Sequence, residues 1–207
     1  MSKKICWMDV ETTGLSAIKN DMVQLAMIIE VDGKQVAEQK FHMQPFDYNA
    51  VDDKALLINN LKLEDIKKFP KPQETFEEVK KFLSKYVNKY EKMDKYHPAG
   101  YNVNFDTEFI KHFFKKNGDT YYGSWFNYRA VDPMHILHTL DARGTLKLPD
   151  YKLVSVCKHF GIPLEDAHDA LCDIRATKAL AEFLGYCLAV DLDKLEGGYE
   201  QFCKRRG

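Results

Sequence analysis

The run Lys4-Ile5-Cys6-Trp7-Met8-Asp9-Val10-Glu11 passes from β-forming, largely apolar residues straight into two carboxylates, and Thr12-Thr13-Gly14-Leu15 then turns the chain. At the two-residue period of a strand, Asp9 and Glu11 project from one face while Val10 points the other way. The apolar residues before them put the pair at the rim of a core. Carboxylates held close repel one another unless protonated or bridged by a cation, and oxygen ligands select Mg²⁺ or Mn²⁺. A strand that simply runs out into a polar turn would read the same way if seen alone. Gly14 lets the backbone turn tightly and approach a ligand, and the neighbouring N–H groups, from Thr12 and Thr13 on, can hold a phosphate or a terminal hydroxyl. Leu15 can then wedge against a base.

Working outward, Met22 to Val31 and Gln35 to Met43 read as two further strands, separated by Asp32-Gly33 and forming a meander with the first, read as Lys4 to Val10. Helical periodicity follows over Glu74 to Tyr90, after Pro72, with Phe76, Val79, Phe82, Leu83, Tyr86 and Val87 on one stripe. Tyr96 to Tyr101 is a short strand leading into a helix from about Phe105 to Lys116, which Gly118 ends. Tyr128 to Val131 is a fifth strand, and Asp132-Pro133 an N-cap with proline in the first helical position. Asp150 caps a helix to His159 that Gly161 stops. The last helix runs from near Asp169 to about Val190, with Leu180, Phe183, Leu184, Cys187 and Leu188 turned to the core. A meander followed by alternating strands and helices predicts an α/β domain with a mixed five-stranded sheet flanked by helices.

The 207 residues suit one domain, with a core over about 4–190 and a short C-terminal tail. Hydrophobic residues at 45% and charged residues at 29% exclude a disordered chain. No apolar run approaches the roughly 20 residues that cross a bilayer, and Met1 to Lys4 do not open a secretory signal. The five cysteines form no C-x-x-C pair, which is the pattern of reduced thiols. A cytoplasmic protein without a membrane partner is the expectation. Net charge is −1, so any nucleic-acid contact must be local. Lysines do crowd positions 80–95 and 111–116, and Lys204, Arg205 and Arg206 follow near the end, a pattern that solvated helix faces also produce.

Two more segments carry candidate chemistry. Asp106 lies in Tyr101-Asn102-Val103-Asn104-Phe105-Asp106, where a strand meets a helix, a place an aspartate also favours for the macrodipole alone. His168 and Asp173 lie in His168-Asp169-Ala170-Leu171-Cys172-Asp173. Inside one regular helix they would stand about 140° apart. With Asp169 as N-cap, His168 falls in the preceding loop and can swing over the same cleft as Asp173. His135 and His138, at i and i+3, have no third nitrogen or thiolate ligand and read as an ordinary helix face.

Taken together, D-x-E-T-T-G at 9–14, Y-N-x-x-F-D at 101–106 and H-x-A-x-x-D at 168–173 resemble the three motifs of the DEDDh exonucleases, the DnaQ-like branch of the ribonuclease H-like superfamily. The resemblance spans roughly Lys4 to Leu184. It implies a ribonuclease H-like sheet and a 3′–5′ exonuclease using two Mg²⁺ or Mn²⁺ ions about 3.5–4 Å apart. Asp9 would bridge them, Glu11 and Asp173 would complete one site, and Asp106 would reach the second. His168 would take the proton of the attacking water. Thr12, Thr13, Gly14, Leu15, Asn102 and Phe105 would bind the terminal nucleotide. The implied partners are single-stranded or frayed 3′ ends, DNA rather than RNA on the paired threonines, and a polymerase or other replication or repair protein. An RNA-trimming exoribonuclease and a non-catalytic nucleic-acid or polymerase binding module stand as alternatives.

Overall fold

The structure, a computed structural model, is described for residues 2–164 and 169–190, with side chains to 188. His168 and the basic end at 204–206 lie outside the described residues. Three strands come first, β1 (Lys4–Thr12), β2 (Met22–Val31) and β3 (Lys34–His42). Three helices follow, α1 (Asp53–Ile58), α2 (Leu63–Ile66) and α3 (Pro72–Leu83), then β4 (His97–Ala99). The chain continues through α4 (Val103–Lys116), α5 (Tyr122–Trp125), α6 (Pro133–Ala142), α7 (Leu153–Phe160) and α8 (Ala170–Val190). The sheet order is β3-β2-β1-β4, with the meander antiparallel and β4 parallel to β1.

β1 is central and alternates between two cores. Cys6, Met8 and Val10 face Phe76, Val79, Phe82, Phe109 and Phe113 of α3 and α4. Ile5 and Trp7 face the other way, with Ala26, Ile28 and Ala99, onto Ala170 and Ile174 of α8. The alanines matter here. Three small side chains let the first turn of α8 sit close to the sheet, whereas larger residues would hold it off. Behind it, α6, α7 and α8 share a core of Leu137, Leu140, Val156, Phe160, Leu180 and Phe183.

The sheet has four strands among the described residues, not five. Tyr128 to Val131 does not form a continuous strand; instead Phe126 bridges Tyr96 and Val131 bridges Ala99, both parallel. Three steps on one side face five on the other, so two residues are pushed out between the bridges, and Tyr128 is 87% exposed. Pro98 has no N–H for the ladder, though its carbonyl accepts from Val131 N at 2.9 Å. The helix expected to reach Tyr90 stops at Leu83, and Val87 stays buried through a non-helical turn braced by Asp94, which accepts from Asn88 N at 2.9 Å. Leu188 is exposed rather than turned to the core. The N-cap of α7 is Lys152, with Asp150 supporting it by accepting Lys152 N at 2.9 Å.

Candidate metal centre

Asp9 and Glu11 leave the same face of β1, and a bulge immediately after Glu11 shifts the register, pairing Thr12 with Met22. Asp173 arrives from the first turn of α8 on that face. One carboxylate oxygen from each of Asp9, Glu11 and Asp173 lies within 4.8 Å of the others, the one such group of three among the described residues. His135 and His138 join no cluster: His135 Nδ1 lies 3.6 Å from Asp132, and the His138 ring packs edge-on to Tyr151.

Asp106 reaches the centre from α4. The parallel pairing of β1 with β4 ends at Trp7–Ala99, and the chain peels away at Gly100, where a Cβ would lie 2.8 Å from Met8 O. Only glycine permits that approach. Past this point the edge of β1 has no strand partner from β4, and the buried Asp106 carboxylate accepts Val10 N at 3.0 Å in its place. Asn102, at the start of α4, is left-handed (φ 58°) and exposed. Asp132 accepts Asn102 N at 3.2 Å, Val103 N at 3.1 Å and Met134 N at 3.0 Å, so one carboxylate fixes the starts of both α4 and α6.

The Thr12–Leu15 turn is locked from behind. Thr13 N donates to Asp21 O at 2.8 Å, and Thr13 Oγ1 accepts Asp21 N at 2.9 Å. Thr12 Oγ1 donates to Gly14 O at 2.8 Å, and Asn59 Nδ2 at the end of α1 donates to Thr12 O at 2.9 Å. Thr12 and Thr13 are buried, while Leu15 stands 89% exposed beside them. A Cβ on Gly14 would meet the Asn20 amide at 2.5 Å. Phe105 is half-buried against Phe109, its ring centroid 4.8 Å away.

Electrostatics set this cluster apart from the ordinary surface carboxylates. Burial, and then the charges of Asp106, Glu11, Asp173 and Asp169, hold Asp9 well above the usual carboxylate range. Burial, and then Asp173, Asp106 and Asp169, push Glu11 up to about 8, with Lys40 opposing them. Burial raises Asp106 as well, against the pull of Val10 N–H. Three carboxyls that resist ionisation, with Asp173 beside them, all offering oxygen, fit a hard divalent cation of the Mg²⁺ or Mn²⁺ kind.

The sequence motifs leave out the polar row beside the centre. Register places Gln24 opposite Glu11, and Lys40 and His42 opposite Ala26 and Gln24. Lys40 pairs with Asp169, whose Oδ1 accepts Leu171 N at 3.0 Å and Cys172 N at 3.3 Å and so caps α8. The signal for this row was the period of two in β3, which means nothing until the strand pairing is known.

Known proteins give three findings. The family model described as "Exonuclease" matches residues 6–181. The chain is 27% identical over 193 residues to the DNA polymerase III PolC-type of Bacillus cereus, covering 93% of this chain and 12% of that one. It is 26% identical over 171 residues to that of Halalkalibacterium halodurans, covering 82% and 10%. Among solved structures, the zinc-bound E. coli ExoI–ssDNA complex superposes with a TM-score of 0.76 at 20% identity, covering 92% of this chain and 42% of that one. The chain thus spans a small part of the PolC-type relatives and less than half of the ExoI chain.

Proposed function

The chain belongs to the DnaQ-like exonuclease family, and from that premise we propose that it hydrolyses nucleotides one at a time from the 3′ end of single-stranded or frayed DNA. Water adds to the terminal phosphorus, the bond to the 3′ oxygen of the preceding nucleotide breaks, and a nucleoside 5′-monophosphate leaves. The observation that carries this reading is the convergence of Asp9, Glu11 and Asp173 within 4.8 Å, with Asp106 held at Val10 N.

Asp9, Glu11 and Asp173 would hold one divalent ion, and Asp9 with Asp106 a second. The chemistry such ions supply is a more acidic attacking water and neutralised charge at the phosphodiester. The residues of the chain do the rest. Asp106 is held at the strand edge by Val10 N, and Asp9 projects from β1 itself. Leu15, exposed on a turn that is rigid behind it, meets the terminal base, and Phe105 lines the approach from the other side. His168 accepts the proton of the water, a role that suits imidazole near neutral pH. The likeness to a PolC-type polymerase and to an ExoI–ssDNA complex supports DNA as the substrate and a polymerase as the partner class.

The test is digestion of 5′-labelled single-stranded DNA beside RNA of the same sequence. DNA should shorten from its 3′ end in single steps, stop in excess EDTA, and resume with Mg²⁺. Cleavage of closed circular DNA at the same rate, or full activity of metal-free protein in EDTA, overturns the proposal. Faster loss of the RNA moves the substrate to RNA.

A further inference from the structure

Among the described residues, three ion pairs fasten α8 and its N-cap to the sheet, and one of them has the opposite polarity. Glu38 of β3 pairs with Arg175, and Glu30 of β2 lies 3.5 Å from Lys178, each an acid on the sheet and a base on the helix. At the end nearest the metal centre the sheet supplies the base, Lys40, and the helix supplies the acid, Asp169. Asp169 is a fifth carboxylate in this region. Its charge acts on both Asp9 and Glu11, while Lys40 acts on Glu11 in the opposite sense. Its Oδ2 is taken by Lys40 and its Oδ1 by two N–H groups of the first turn of α8. Asp173 N in turn donates to Asp169 O at 3.0 Å, so the residue that caps the helix also sets where Asp173 begins.

We propose that Lys40 is a positioning residue for the metal centre: by pairing with Asp169 it keeps this fifth carboxylate in the helix cap and cancels its charge, so that the cation meets Asp9, Glu11 and Asp173 without it. The inference rests on the proposed use of divalent ions, and it predicts opposite effects for the two partners. Lys40→Met leaves Asp169 uncompensated beside the centre and strengthens cation binding. Asp169→Asn keeps a good cap but leaves Lys40 uncompensated and weakens binding. The double variant restores the local charge and returns to the wild-type value. A pair that only braces the fold would shift both single variants the same way, or neither.

The experiment is calorimetric titration of Mn²⁺ into substrate-free protein, after confirming that each variant melts cooperatively. Lys40→Met should bind roughly three- to thirtyfold tighter and Asp169→Asn weaker by a similar factor, the scale of one unit charge several ångströms from a divalent ion. Lys40→Arg should match wild type. Single variants that shift in the same direction, or a double variant no closer to wild type than either, overturn the proposal. Wild-type protein that binds no Mn²⁺ at all overturns instead the proposed function beneath it.

Discussion

Asp9 and His168 are expected to fail differently when they are removed. Asp9 sits at the meeting point of Glu11, Asp173 and Asp106, and burial and then the charges of these neighbours oppose its ionisation. Asp9→Asn should therefore abolish both Mn²⁺ binding and turnover. His168→Ala should leave the fold and Mn²⁺ affinity unchanged and lower kcat by roughly 10²–10⁴-fold, the usual worth of a positioned general base. Calorimetry alongside single-turnover digestion separates the two, and wild-type turnover by His168→Ala would remove that residue from the reaction. At this scale the carboxylates were legible because a strand's period of two and the order of three motifs point to them. Lys40, Gln24 and His42 were not. They come to lie beside the site only through strand register, which no local pattern in β2 or β3 announces.

Helix starts carry the site at the next scale. The Asp132-Pro133 cap was readable from residue types, yet the same carboxylate also holds the first N–H groups of α4, thirty residues upstream, and so orients Asp106. Asp132→Ala would leave three N–H donors without that acceptor. A destabilisation of about 2–4 kcal/mol follows, more than a lone cap contributes. Urea unfolding measures it, and a loss below about 1 kcal/mol would show that water replaces the carboxylate. The meander was legible to within two residues at its ends because β-formers and turns alternate cleanly there. α1, α2 and α5 were not, since four to six residues complete too few turns to show a period. The fifth strand failed for a different reason. Its composition suits a strand, but two residues too many lie between its anchor points.

For the molecule as a whole, the crowded carboxyls make stability depend on pH in an unusual direction. Burial, and then the neighbouring charges, raise Glu11 to about 8, so the folded state holds that proton more tightly than the unfolded chain does. Its contribution is complete below the ordinary carboxylate range and is lost as pH rises through 8. The window from pH 6.5 to 8.5 covers that loss: Asp9 and Asp106, raised in the same direction, add to it, while His42, lowered by burial and then by Lys40, opposes it at the acid end. In EDTA the protein should lose unfolding free energy across this window. Saturating Mg²⁺ should flatten the slope, since a bound cation stabilises the ionised carboxylates. Chemical unfolding at both ends of the window, with and without Mg²⁺, checks this, and a metal-free protein that gains stability with pH would refute it. The two residues pushed out beside β4 have a different consequence, one for engineering. Hydrogen bonds from Asn127 N to Tyr96 O and from Val131 N to Pro98 O clamp the chain on either side, while Tyr128 projects into solvent. The sheet is already sewn shut around this outpouching, so it is a place to splice in foreign sequence. A flexible Gly/Ser tag inserted between Tyr128 and Arg129 should cost about 1 kcal/mol or less and leave digestion untouched, giving the protein a handle for tethering to a surface.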